Sequence, residues 1–353
     1  LRTTSGMMER KSDYLTYYQI AKDECADLIS HREQHTLNPV YQDLFKNYID
    51  AHTLNEPAYE VMFEVAMGGG TAASDSKIGY YDGPRLIVNN VNYGSSSVLL
   101  VPTYFYAFDP NDARRDVTIA PYYVNLDGTK AVQKLVSAVL GKFRRDWISN
   151  STYLSAATTG TQYFGVNWPL LRFSDVLLMY AEADNEIGGK PSQAAMSAYE
   201  EVRRRGFAGK AIGTTPTTHD GFFNAIVNER SFELGGEGLR KFDLIRWNLL
   251  NSKITSTRAG LTQMLNKQAP YANLPQSMYA LNSSQTVMYS NSLYAATPAA
   301  TPTGYTKIAW ISSLSATYIA NVAQLFTPNH AELLPFPQAS LTANPMLTQN
   351  LGY

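Results

Sequence analysis

The sequence predicts a mainly α-helical protein, built from tetratricopeptide-like helical hairpins with a loop-rich, irregular part packed on them. Three observations predict it. Apolar residues recur at three- and four-residue steps within 12–30, 40–52, 169–187 and 220–250. The two hairpins of the later half are broken by Gly-Gly signals, at 188–189 and 235–236, of the kind that end a helix. The long stretches between are rich in Gly, Ser, Asn and Tyr and show no sustained period. The tetratricopeptide consensus itself is absent, so only the hairpin arrangement is suggested.

In order along the chain, 12–30 reads as a helix whose face carries Tyr14, Tyr18, Ala21, Cys25 and Leu28. Asn38-Pro39 opens a second helix over 40–52, with Tyr41, Leu44, Phe45, Tyr48 and Ile49 on one side. Glu60–Val65 alternates weakly and precedes Gly68-Gly69-Gly70. From there to about 165 the text is irregular, with β-leaning pieces at 97–106 and 116–124. The helix over 169–187 is apolar almost all round and is expected to be buried. After Gly188-Gly189, a second helix opens at Pro191-Ser192 and ends on Arg203-Arg204-Arg205, where positive charge suits the helix dipole. Residues 220–234 form the next helix, with Asp220 as its expected N-cap, and Leu239–Leu250 resumes it. The stretch 251–329 reads as polar and turn-prone, and the Pro-rich end reads as an extended tail without helix. The divisions are therefore 1–65 helical hairpin, 66–165 loop-rich insertion, 166–250 helical hairpins and 251–353 loop-rich C-terminal region.

Composition narrows the function classes. The 353 residues carry a net charge of −1 and only 17% charged residues, below the roughly 25% of ordinary soluble domains. Such a chain has no electrostatic footprint for nucleic acid. No apolar run of about 18 residues exists to span a membrane as a helix. The single Cys25 excludes an internal disulfide and a Cys-based metal site. Tyrosine is abundant, at 24 residues against 14 Phe and 4 Trp.

Candidate chemistry is sparse. His31 and His35 share a helical face, but His-Arg-Glu-Gln-His is not the His-Glu-x-x-His of metalloproteases, and no metal or cofactor is expected. Glu229, Glu233 and Glu237 have the carboxylate pairing that glycoside hydrolysis needs. Arg230, Arg240, Lys241 and Arg246 lie among them, so ion pairing is the expected role and no catalytic residue is assigned. Neither Gly-rich stretch has a phosphate-binding pattern; both read as turns with positive φ. Asn150-Ser151-Thr152 and Asn282-Ser283-Ser284 are formal glycosylation sequons. The tyrosines divide in two. Tyr14, Tyr18, Tyr180 and Tyr199 sit on helical faces as core. Others, with Trp147 and Trp168, sit in the irregular region, where flat rings with a polar edge suit the C–H faces of sugars. The expected ligand-binding residues are Tyr80, Tyr81, Tyr104, Tyr106 and Trp147; Tyr93, Tyr122, Tyr123, Tyr153 and Tyr163 belong to the same loop-borne set.

Three segments together resemble one family: Trp168-Pro169-Leu170-Leu171-Arg172-Phe173 running to Glu186, Asn228-Glu229-Arg230-Ser231-Phe232-Glu233 running to Trp247, and Leu334-Pro335-Phe336-Pro337 with Asn344-Pro345 and Gln349-Asn350. Their order and spacing resemble the SusD/RagB family of surface lipoproteins that bind nutrients at the outer membrane of Gram-negative bacteria. The resemblance implies a helical superhelix and a binding protein rather than an enzyme. It implies an oligosaccharide or polysaccharide ligand, with peptides in some members. It also implies a SusC-like TonB-dependent transporter as partner, and a lipid anchor outside this chain as the sole membrane attachment. The chain begins Leu1-Arg2-Thr3-Thr4, without initiator Met or leader. Members of that family carry a lipid-bearing cysteine and a further helical stretch before this point, so the resemblance implies that the chain is the C-terminal two-thirds of one larger domain. The shared motifs are structural, so no ligand contact carries over with them. The alternative reading is a tetratricopeptide-like scaffold for a peptide or protein.

Overall fold

In a computed structural model, residues 9–51, 57–75, 77–89, 91–149, 163–281, 284–350 and 352–353 are described. The longer helices are α1 (Tyr14–Ser30), α2 (Phe173–Gly188), α3 (Gln193–Gly206), α4 (His219–Glu233), α5 (Arg240–Arg246) and α6 (Leu250–Leu265). At the centre is α2, where Phe173, Val176, Leu177, Leu178 and Ala181 are fully buried. α1, α3 and α4 all pack against it, as its all-round apolarity predicts. The packed face of α1 is the predicted one, with Cys25 and Leu28 in the shared core. Gly189 adopts φ 65°, the left-handed conformation that ends α2 without a Cβ clash. The Ser192 hydroxyl accepts from the Ala195 amide at 3.2 Å and caps α3.

Several elements differ from expectation. The 169–187 helix starts only at Phe173, because Trp168–Arg172 is a strand (β8) paired antiparallel with Val61–Val65 (β1). Pro169 suits the first turn of a helix as well as an edge strand, so it does not decide between them; the pairing with Val61–Val65 does. Residues 41–49 begin as a helical turn and continue as a π-helix over Leu44–Ile49, yet bury the predicted Tyr41, Leu44, Phe45 and Ile49. Thr218, not Asp220, caps α4, accepting from the Gly221 amide at 3.3 Å. Helix continues to Leu265 where turns were expected from 251. Its Ser and Thr residues do not break it, because Ser252, Ser256 and Thr262 donate to carbonyls of their preceding turns. Leu261 and Met264 bury its inner face. In the tail, Pro337 precedes a short helix, Gln338–Ala343.

The loop-rich part contains Leu86–Val88 (β2), Val91–Tyr93 (β3), Ile119–Ala120 (β4), Tyr122–Asn125 (β5), Lys130–Val132 (β6) and Val139–Leu140 (β7). Four strands form one sheet in the order β3-β2-β5-β6, with β2 parallel to β5 and the other neighbours antiparallel. β4 pairs with β7. Ser277–Ala280 (β9) and Thr306–Ala309 (β10) form a further antiparallel pair.

The two parts meet across a buried ion network. Glu233 Oε1 accepts from Arg172 at 2.9 Å and Arg205 at 2.6 Å, and Oε2 accepts from Arg114 at 3.1 Å. Arg172 also reaches Glu60 and Glu237, Arg205 reaches Glu60, and Arg114 reaches Asp112 and Glu229. Lys142 binds Glu237, and Arg203 binds Glu229 from the rim. Among the described residues, five cations meet five carboxylates in this cluster. Ion pairing of Glu229, Glu233 and Glu237 is as the sequence predicted, but with Arg114, Arg172, Arg205 and Lys142. Arg240 instead donates to the Val227 carbonyl at 2.7 Å. Arg230 forms a second cluster with Asp175 and Asp243, and Arg246 binds Asp243 and Glu182.

Burial opposes ionisation of Glu233, but Arg205, Arg172 and Arg114 outweigh it and hold its carboxyl far below the usual range. Glu237 is likewise lowered by Arg172 and Lys142 against burial. Both folded-state values lie below the unfolded ones, so their stabilisation is full above about pH 4.5 and is lost as pH falls through the lowered values. Glu233→Gln is expected to cost about 3–5 kcal/mol in urea unfolding at pH 7, since it strands buried guanidinium groups. The deficit relative to wild type should narrow below pH 4.

Candidate functional site

A cavity of about 560 Å³ opens between the loop-rich sheet and the π-helical segment. Trp147, Tyr122, Phe105 and Tyr289 form its aromatic wall, and Arg115, Lys130, Arg144, Asp116, Asp146 and Gln285 its polar one. The polar side chains are held in place by one another. Arg144 Nη1 donates to the Tyr122 hydroxyl at 2.7 Å, which donates to Asp146 Oδ2 at 3.0 Å. Lys130 completes an ion pair with Asp146, and Arg115 pairs with Asp116 at 2.8 Å. The rest of the Arg144 fork binds the carbonyls of Gly141, Asp116 and Val117. Its carbon lies 4.0 Å from the Trp147 ring centroid, a cation–π contact that fixes the indole. Burial keeps the phenols of Tyr122 and Tyr289 protonated far above their ordinary range. The cavity is thus a rigid aromatic surface edged by charge-paired groups, each with hydrogen-bonding capacity left over.

The five residues named from the sequence go to three places. Trp147 lines the cavity. Tyr104 and Tyr106 pack in the core beside Phe105 and Phe108. Their hydroxyls are engaged within the chain: Tyr104 donates to the Ser231 carbonyl at 2.5 Å, and Tyr106 accepts from Trp310 Nε1 at 2.8 Å. That contact explains Gly235, where any Cβ would strike the Tyr104 hydroxyl. Tyr80 and Tyr81 end a helical turn (Ile78–Tyr81) and meet edge to face at 5.0 Å. Lys77 lies 4.6 Å above Tyr80 and 5.0 Å above Tyr163, and Tyr81 is half exposed. They form an aromatic platform separate from the cavity lining. Of the wider set, Tyr122 joins the cavity, while Tyr153 and the asparagine of each sequon, Asn150 and Asn282, lie outside the described residues. Asp146, Arg144, Lys130 and Tyr289 were not anticipated; nothing in their local spacing marks them, since they come from segments up to 159 positions apart (130 and 289).

Asp82 follows the platform directly. Burial pushes its carboxyl up to about 6. The folded-state value exceeds the unfolded one, so the stability linked to neutral Asp82 is full below about pH 3.8 and is lost as pH rises through 6. Asp82→Asn is therefore expected to raise unfolding stability by about 1–3 kcal/mol at pH 8. The gain should shrink toward zero near pH 4, as read by urea titration at the two pH values.

Helical hairpins of tetratricopeptide-like architecture, carrying a loop-rich cap with an aromatic cavity, define the class. The chain belongs to the SusD family, whose sequence profile matches residues 103–353. The SusD-like protein P25 of Formosa agariphila is 32% identical over 144 residues, which is 40% of this chain and 24% of that protein. A SusD homolog from Bacteroides thetaiotaomicron VPI-5482 superposes with a TM-score of 0.71 at 22% identity, covering 99% of this chain and 61% of its own. A SusD superfamily protein from Parabacteroides distasonis ATCC 8503 gives 0.59 at 18% identity, covering 99% and 60%. At such identities the structural likeness is one of fold. The chain spans less than two thirds of the length of each of these relatives. Family and fold are those that the motifs at 168–186, 228–247 and 334–350 implied.

Proposed function

We propose that this chain binds glycans, as part of a nutrient-binding protein at the cell surface. The observation that carries the reading is the Trp147 cavity within a SusD-family fold. A sugar ring has flat C–H faces and an equatorial belt of hydroxyls. An indole wall takes the first, and Asp146, Arg115 and Gln285 suit the second. A volume of about 560 Å³ holds a short oligosaccharide segment. Family membership supports the rest: delivery to a SusC-like TonB-dependent transporter, an outer-membrane location, and attachment through a lipid anchor outside this chain.

The reading is one of binding without turnover. Glycoside hydrolysis needs one carboxyl kept protonated and a second poised as base or nucleophile. The cavity's Asp146 and Asp116 are instead ion-paired, to Lys130 and Arg115. Single-chain affinity is modest in this scheme, and long polymers gain by engaging many surface copies.

Titration calorimetry against a panel of soluble polysaccharides should find at least one ligand. Trp147→Ala should weaken it tenfold or more, equivalent to about 1.4 kcal/mol. Wild-type affinity in that variant, with losses in Tyr80→Ala or Tyr81→Ala, would move the site to the Lys77 platform. Capture of a protein partner without any sugar dependence would favour the scaffold reading. Released reducing ends would sink the claim of binding without turnover.

A further inference from the structure

A second cavity, of about 410 Å³, lies at the other side of strand β5. Side chains along a strand alternate faces. Tyr122 lines the Trp147 cavity, and its neighbour Tyr123 lines the second. The second wall is chemically different. It contains Arg85, Ser95, Ser96, Ser97, Tyr123 and Ser137, and among the described residues no acidic one. In the first cavity Arg115 and Lys130 are matched by carboxylates; here Arg85 has no carboxylate partner among the described residues.

Arg85 is set up rather than loose. Its Nε and Nη2 donate to the Ser95 carbonyl at 3.1 and 2.7 Å, and its carbon lies 5.8 Å from the Tyr123 ring centroid. The group is therefore held flat by neutral partners. Nη1 makes no hydrogen bond among the described residues. The hydroxyls of Tyr123 and Ser137 likewise have no partner there, and the Ser95 and Ser97 hydroxyls bond each other and keep one donor between them. A pinned guanidinium fork with neighbouring hydroxyl donors and no competing carboxylate is complementary to a planar or tetrahedral oxyanion.

We propose that this cavity is a second ligand subsite and that it takes an oxyanion borne on a sugar ring, either a uronate carboxylate or a sulfate ester. The sugar part rests on the glycan-binding reading; the oxyanion part rests on Arg85 and the hydroxyls alone. The outer edge of Arg85 meets two oxygens of the anion, while Tyr123 and Ser137 donate to a third atom or to ring hydroxyls. The adjacent faces of one strand then read two features of the ligand: ring faces at Trp147 and negative charge at Arg85.

Calorimetry would compare three trisaccharides on the whole chain: neutral galactose, galacturonate and galactose sulfate. At least one charged ligand should bind tenfold or more tighter than the neutral one, and which one does so names the oxyanion. Raising the salt should reduce that advantage, as an exposed ionic contact requires. Arg85→Gln should abolish the advantage and leave neutral-glycan binding, weakened in Trp147→Ala, unchanged. Tyr123→Phe removes only a hydroxyl, and should cut the advantage severalfold with unfolding stability unaltered. Equal affinity for all three ligands overturns the proposal, as does a charged preference that survives Arg85→Gln. Loss of neutral binding alone would sink the Trp147 reading and leave this one standing.

Discussion

Three guanidinium groups converge on one carboxylate, Glu233, and the rest of the structure is arranged around that contact. Arg114 comes from a short helix in the loop-rich part, Arg172 from the end of β8, Arg205 from the last turn of α3, and Glu233 from the last turn of α4. Taking such charges from water is costly, and the network is weak evidence for net stability. What it does supply is discrimination. Any shift of one segment leaves a buried charge without its partner, so only one mutual placement of the four is tolerated. The closeness of the fit shows at Gly206, where a side chain would collide with the Arg114 guanidinium.

A strap of nine residues, Val139 to Trp147, carries that constraint outward to the candidate site. β7 leads into Lys142, whose ammonium binds Glu237 and the Glu233 carbonyl. Burial pushes that ammonium down to about 8, against the pull of Glu237. Phe143 packs in the core, and the Arg144 amide donates to Asp50 at 2.7 Å. Two residues further on, Asp146 and Trp147 line the cavity. The Trp147 indole is therefore five positions from the ion network, joined to it through the buried Phe143, Arg144 and Arg145. Rigidity of this kind reduces the entropy lost when a ligand is held.

The tyrosine-rich composition resolves into distinct physical roles. Tyr199 is buried between helices, and Tyr41 and Tyr104 donate to main-chain carbonyls of α4. These rings fill volume and satisfy backbone acceptors at helix ends. Tyr122 is buried yet hydrogen-bonded to charged partners at the cavity, while Tyr80, Tyr81 and Tyr123 keep exposed edges. One residue type thus serves as core, as donor to helix-end carbonyls and as cavity lining, and neighbours on one strand divide between two cavities.

The helices were legible because their signal is local. The spacing of Tyr14, Tyr18, Cys25 and Leu28, or of Val176, Leu177 and Ala181, states which face is inward whatever the partner is. The same holds for the Gly189 stop and for the interleaving of Glu233 with basic residues. Where local signals conflicted, tertiary context won: Ser and Thr in α6 bond back to their own helix, and Trp168–Arg172 pairs with a strand more than a hundred residues earlier. Of the candidate cavity, the sequence pointed to Trp147 among the expected ligand residues and to Tyr122 in the wider loop-borne set. Tyr104 and Tyr106 carry the same composition signal as Tyr122 and Tyr123, and differ only in what the fold places beside their hydroxyls. The sequence by itself determined the family, the helical hairpins and the need for an ion network. The tertiary structure alone decided which charges meet and which rings face a cavity, because each of those contacts joins segments that no short-range pattern connects.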